Sequence, residues 1–161
     1  MDDHKGLALA LEEAKKGYEE GGIPIGAVLV AADGRVLGRG HNMRVQNGNP
    51  ILHGETSCLQ NAGRLPSSAY RNSTMYTTLS PCDMCTGACL LYGISRVIIG
   101  ENRTFIGGEA YLKQRGVEVI VLDSTECREM MEKFIEEKPD VWNEDIGVEE
   151  RVYSKEDLKK A

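Results

Sequence analysis

His53-Gly54-Glu55 is followed, 29 positions after the histidine, by Pro81-Cys82-Asp83-Met84-Cys85. One imidazole and two thiolates form a ligand set for a zinc ion. Three protein ligands leave a fourth coordination position for water, the feature that separates catalytic from structural zinc. Glu55, two residues from the histidine, lies within reach of that water without being a ligand. Zinc acidifies bound water enough to supply hydroxide near neutral pH. The reaction this suits is hydrolytic loss of an amine from an amidine-like ring carbon. Glu55 takes the water proton, passes it to a ring nitrogen, and then protonates the leaving amine, acting as base and then as acid. A lone Cys-x-x-Cys would be ambiguous, because thiol redox pairs share its spacing. The His-x-Glu partner removes that ambiguity, since a redox pair has no use for it.

The elements that must position these groups alternate along the chain. Leu7, Ala10, Leu11, Ala14 and Tyr18 recur at helical spacing, and Gly21-Gly22 ends that helix. Residues 27–31 read as a buried strand, with Asp33-Gly34 turning the chain into a second strand at 35–38. Residues 43–52 read as a loop, and a helix from about His53 to Ala62 stops at Gly63. Met75 to Leu79 has strand composition. Ser80-Pro81 then predicts an N-cap and first helical residue, so the next helix starts at Cys82 and sets Cys82 and Cys85 on one face. Strands at 97–99 and 117–122 follow, each bracketed by helix. Strand–helix alternation after a single hairpin predicts an α/β fold with a largely parallel sheet. Cys58, Cys89 and Cys127 fall within predicted helices, where a free cysteine acts as a small buried hydrophobe.

Charge and composition narrow the function. The net charge of −6 lies wholly in the last quarter: residues 1–122 carry 12 acidic and 12 basic side chains, residues 123–161 carry 13 and 7. Polynucleotide binding draws most of its affinity from neutralised phosphates, and no basic face is evident. A small neutral substrate fits better, with no nucleic-acid and no membrane partner. No apolar run approaches the roughly 20 residues that span a bilayer, and the acidic start does not read as a signal peptide. The expected location is cytoplasmic, with a nuclear pool not excluded by anything in the sequence.

The longer segments around these motifs resemble the fungal, yeast-type cytosine deaminases of the cytidine deaminase-like superfamily. They are Gly40-His41-Asn42-Met43-Arg44, Leu52-His53-Gly54-Glu55, residues 78–88, Gly100-Glu101-Asn102 and Trp142-Asn143-Glu144-Asp145-Ile146-Gly147. The last is outside the general superfamily motif. The resemblance implies a three-layer α/β/α sandwich around a five-stranded mixed sheet, one catalytic zinc per chain, a homodimer, and conversion of free cytosine to uracil in pyrimidine salvage. It also implies roles for side chains. Asn42 would pair with the N1 and O2 edge of the base, and Gly54 would offer its backbone N–H to O2. The Ser80 carbonyl and Asp145 would hold the exocyclic amine. Phe105 and Trp142 would cover the ring, with Ile25 and Leu79 lining the pocket.

Two departures carry expectations. Position 45, a bulky aromatic near the pocket in yeast-type enzymes, is Val45, which would either widen the site or loosen the packing on the ring and so leaves the fine substrate preference open. The resemblance ends at residue 147, so the expected organisation is a deaminase domain over 1–147 and an extension over 148–161, in which Ser154 to Lys160 resembles a short capped helix. Guanine deaminase and tRNA adenosine deaminase are the rival readings; both usually have alanine in place of Gly54 and glutamate in place of Ser80. A structural zinc module would need a fourth ligand, for which His41 or Cys89 are the available side chains.

Overall fold

The computed structural model describes residues 1–149. Helix α1 (Asp3–Glu19) leads into the hairpin β1 (Gly26–Val30) and β2 (Val36–His41). A one-turn helix α2 (Arg44–Asn47) precedes α3 (Gly54–Ala62), and a second one-turn helix α4 (Ser67–Tyr70) precedes β3 (Thr74–Leu79). Then come α5 (Asp83–Leu91), β4 (Arg96–Glu101), α6 (Glu109–Gln114), β5 (Glu118–Val121), α7 (Thr125–Glu137) and α8 (Pro139–Asp145). The strands form one sheet in the order β2-β1-β3-β4-β5. β1 pairs antiparallel with both β2 and β3, whereas β3, β4 and β5 run parallel. This is the mixed five-stranded α/β architecture that the alternating elements predict.

The sheet's pleat divides the core. Ala27, Leu29, Met75, Val97 and Ile99 face one side, with Cys58 of α3, Cys89 of α5 and Leu112 of α6. Val28, Val30, Tyr76 and Ile98 face the other, with Ala10 of α1, while Leu7, Leu11 and Ala14 of α1 cluster with Cys127 of α7. Side chains on neighbouring positions of a strand point to opposite faces, and the central strands β1 and β3 are buried at every position, so both of their faces lie in the core. Cys58, Cys89 and Cys127 are buried and free, and burial drives their thiols upward, Cys127 to about 11. They are core side chains.

Three sequence expectations change. The loop over 43–52 contains the single turn α2, too short to give a periodic signal. Helix α5 is capped by Cys82, in extended conformation, rather than by Ser80; the Ser80 hydroxyl is taken by Glu109, at 2.7 Å, and so is unavailable to the helix. Val45 lies exposed on α2 and is not among the residues lining the site described below, so the aromatic-to-valine exchange does not widen it. The capped helix expected within 148–161 lies outside the described residues.

Helix α1 is pinned to the sheet at its first turn. The Asp3 carboxylate accepts from both Arg96 Nη atoms, at 3.2 and 3.0 Å, and from the Tyr76 hydroxyl at 3.0 Å. The Arg96 hydrogen bonds hold Asp3 below its ordinary pKa, against the opposing effect of burial. A depressed carboxylate contributes stability above its unfolded pKa and loses it as pH falls through the folded value. Asp3→Asn should therefore lower Tm at pH 7 by roughly 2–4 °C, the shift that about 1 kcal/mol produces in a chain of this size. The gap from wild type should close in melts recorded below the carboxylate range; a gap unchanged at low pH would show that the pair does not carry the difference.

Candidate active site

The three proposed ligands meet at the carboxyl ends of the parallel strands, where open α/β sheets place their ligands. His53 is the residue before the first turn of α3, in extended backbone, and its N–H donates to Thr56 Oγ1 at 2.8 Å. Strand β3 ends at Leu79, and Ser80-Pro81 carries the chain over to Cys82, whose carbonyl accepts from the Thr86 N–H at 2.8 Å. Both ligand segments thus sit at helix N-termini, where the partial positive charge of unpaired N–H groups favours thiolate. The ligand atoms of His53, Cys82 and Cys85 all lie within 4.8 Å of one another.

The donor chemistry fits a cation. The Cys85 thiol's hydrogen bond to the Cys82 sulfur, aided by His53 and the Cys85 N–H, brings the Cys82 thiol down to about 4 despite burial. Burial lowers the His53 imidazole, but Asp145 and Cys82 outweigh it and push the ring up to about 10. A cluster that stabilises a thiolate and favours positive charge beside it matches the demands of a cation, whose binding would displace the His53 proton, since a ligand imidazole is neutral. The orientation of His53 agrees. Its Nδ1 faces Cys82 Sγ at 3.4 Å, and its Nε2 faces Asp145 Oδ1 at 3.3 Å. A ligand histidine characteristically gives its second nitrogen to a carboxylate, which fixes the ring and raises its basicity. The two side chains considered for a fourth ligand are occupied elsewhere. His41 lies between Glu13 and Glu20 at 3.2 and 2.7 Å, and Cys89 is in the core.

Glu55 stands in the first turn of α3, and its Oε1 accepts from Thr77 Oγ1 at 3.1 Å. Burial, reinforced by the charge of Cys82, raises its pKa above the ordinary carboxylate value. A carboxyl that is easily protonated in a dry pocket is suited to passing a proton in either direction. Thr77 was not among the expected residues. Strand alternation offers its signal, since Thr77 and Leu79 share a face.

A cleft of about 290 Å³ opens over these groups, lined by Ile25, His53, Glu55, Leu79, Ser80, Cys82, Phe105, Trp142, Asp145 and Ile146. Ile146 is an addition to the expected set. Phe105 and Trp142 meet edge to face, with ring centroids 6.0 Å apart, across the mouth. Trp142 is 1% exposed, and its indole N–H is buried without a hydrogen-bond partner in the protein. Asn42, Gly54 and Cys85 stand immediately behind the lining residues. Asn42 is wholly buried; its Nδ2 donates to Asp145 Oδ2 at 3.0 Å and its Oδ1 accepts from the Arg44 N–H at 2.9 Å. Gly54 packs under Ile25, where an added Cβ would lie 3.1 Å from the Ile25 side chain and carbonyl.

The loop that carries Phe105 is held by two buried carboxylates. Glu101 accepts from the backbone of Arg103 and Thr104, at 2.7 and 3.0 Å, and from the Thr104 hydroxyl. Glu109 accepts from the Ser80 hydroxyl and from Asn102 at 3.2 Å, while Ser80 Oγ accepts from the Gly107 N–H at 3.0 Å. Gly107 lies so close to the Pro81 carbonyl that any Cβ would collide with it. Ser80 therefore uses its side chain to anchor the Phe105 loop. The sequence carries no local sign of this, because Ser80 and Glu109 are far apart in the chain.

Residues 1–101 match the model of the cytidine and deoxycytidylate deaminase zinc-binding region. The chain is 60% identical over 147 residues to the cytosine deaminase of Candida albicans, covering 91% of this chain and 98% of that one. It is 38% identical over 106 residues to a tRNA-specific adenosine deaminase of Streptococcus pyogenes, covering 65% and 66% of the two chains. Its fold is similar to a structure solved in studies of A-to-I editing by tRNA:A34 deaminases, with a TM-score of 0.68 and 30% identity over 79% of this chain and 99% of the other. The His-Cys-Cys centre, the buried glutamate beside it and the mixed sheet that gathers them place this chain in the cytidine and deoxycytidylate deaminase zinc-binding family.

Proposed function

We propose that the chain hydrolyses free cytosine to uracil and ammonia. The observation that carries this reading is the near-complete likeness to a cytosine deaminase, which extends through the residues that close the pocket. Helix α8 brings Trp142 and Asp145 over the cleft, with Ile146 just beyond, and leaves a small, largely apolar space beneath them. That space suits a single pyrimidine ring. Among the described residues, rim and pocket carry no basic stripe of the kind that guides an RNA loop, and the acidic excess lies in the last quarter of the chain.

His53, Cys82 and Cys85 hold the zinc ion, which when bound supplies the Lewis acidity that makes water nucleophilic at neutral pH. Glu55, with one oxygen tied to Thr77, takes the proton released from that water and delivers it to N3 of the ring. Once the water oxygen has added to C4, Glu55 takes the remaining proton from that oxygen and gives it to the amine, which departs as ammonia and leaves the C4 carbonyl. Asn42 and the Gly54 N–H recognise the N1 and O2 edge, and the Ser80 carbonyl and Asp145 receive the amine. Phe105 and Trp142 cover the ring and exclude water.

The enzyme acts as a homodimer. Met84, Gly87 and Leu91 lie three and four residues apart on α5 and are all exposed, Leu91 at 76%, with Tyr92 beside them. A second copy of this chain is the occupant this apolar face calls for, because among the described residues no helix or strand covers it and no helix is long and apolar enough to cross a membrane. The compartment we assign is the cytoplasm.

A panel of cytosine, cytidine, adenine, guanine and an RNA stem-loop should release ammonia chiefly from cytosine; faster turnover of guanine or of the RNA would overturn the substrate. Glu55→Gln should retain zinc and lose about 10²- to 10⁴-fold in kcat. The purified protein should hold one zinc per chain, and Asp145→Asn should weaken zinc binding by about 10- to 100-fold by releasing the His53 ring. That is measurable by chelator competition, and undiminished affinity would deny Asp145 its orienting role. Leu91→Asp should halve the molar mass seen by light scattering; an unchanged mass would place the dimer elsewhere.

A further inference from the structure

Arg44 is neither a metal ligand nor itself a residue lining the cleft, yet it joins the two segments that grip the base. Its Nε donates to Asp145 Oδ1 at 2.7 Å, and its Nη1 donates to Glu144 Oε1 at 3.0 Å. Its backbone N–H fixes the Asn42 amide oxygen at 2.9 Å, and that amide in turn donates to Asp145 Oδ2. One residue thus sets the orientation of both polar groups assigned to the base, and its guanidinium clasps two successive carboxylates at the end of α8. The contact spans about a hundred residues of chain between the loop after β2 and the last helix.

The far end of helix α8 is also held by Asn42 and His53 on Asp145 and by the packing of Trp142 and Ile146, and the Arg44 clasp acts together with these. The helix starts at Pro139 with no side-chain cap and is followed by Gly147 in a left-handed conformation. The Asp145 carboxylate is 2% exposed and the Arg44 side chain 16%, so the inner arm of the clasp is screened from solvent and strong. The Glu144 arm is open to water and weak. A planar guanidinium can reach both acids at once, whereas an ammonium is a single point charge.

We propose that Arg44 is a positioning residue: its clasp on Glu144 and Asp145 holds α8 closed over the base and aligns Asn42 and Asp145 for recognition. This rests on the reading of the cleft as a base pocket. Asn42 and Asp145 grip the base before and during reaction, so losing their alignment removes uniform binding and raises KM more than it lowers kcat. A merely destabilised protein would instead lose active fraction, lowering kcat at unchanged KM.

The test uses Arg44→Gln, Arg44→Lys and wild type, each loaded with zinc. The substrate panel on wild type first establishes which base is turned over, so failure of the cytosine reading shows there and not in the variants. On that base, R44Q should lose roughly thirty-fold in kcat/KM, mainly through KM, as removal of one partner of a buried charge pair commonly does. R44K should recover part of this loss. Trp142 is the only tryptophan of the chain, so acrylamide quenching of its fluorescence reports α8 directly, whatever the substrate. Quenching should rise several-fold in R44Q and by less in R44K. Wild-type quenching together with wild-type KM in R44Q overturns the proposal. Should R44Q fail to fold, the same two wild-type values in R44K overturn it, and a rise in both supports it.

Discussion

The site depends on bringing two helix N-termini to one end of a mixed sheet. His53 before α3 and Cys82 before α5 are in extended backbone at the starts of their helices, and their side chains meet there at 3.4 Å. The helix field favours thiolate at Cys82, and Asp145 behind His53 supplies the matching negative charge that gives the ring its direction. Neither helix end would be held there without the central strands. β1 and β3 are buried on both faces, so the sheet fixes α3 against one side while β3 delivers Ser80-Pro81-Cys82 to its edge.

From that edge outward, buried carboxylates divide the labour. Glu55 is the one proposed to move protons, and burial makes its proton easy to keep. Glu101 and Glu109 hold the Phe105 loop through backbone and hydroxyl donors. Asp145 faces His53, Asn42 and Arg44 together. Each has hydrogen-bond donors around it, as buried charge requires. The proposed metal centre and the groups proposed to recognise the base are therefore joined by polar contacts inside an apolar sandwich, and they meet at Asp145.

Much of this was legible from residue order. His53, Glu55, Cys82 and Cys85 declared themselves because ligands within one or two helical turns are constrained by local spacing. Helix α3 ends where Gly63 predicts, and the hairpin turns at Asp33-Gly34. The cap of α5 was misread because Ser80 has two possible uses for its hydroxyl, and Glu109, 29 residues on, takes it. Val45 was misread because sequence proximity to Asn42 does not fix which way a residue on a one-turn helix faces.

By itself the sequence determined the metal chemistry, the alternating α/β plan and the acidic last quarter, since these follow from residue types, short-range periods and counts. Tertiary structure alone decided that Arg44 meets Asp145, that Ser80 anchors the Phe105 loop and that Thr77 holds Glu55. Those contacts join residues tens of positions apart, and only the packing of α8 and the loops onto the sheet's edge sets which polar groups must satisfy one another once water is gone.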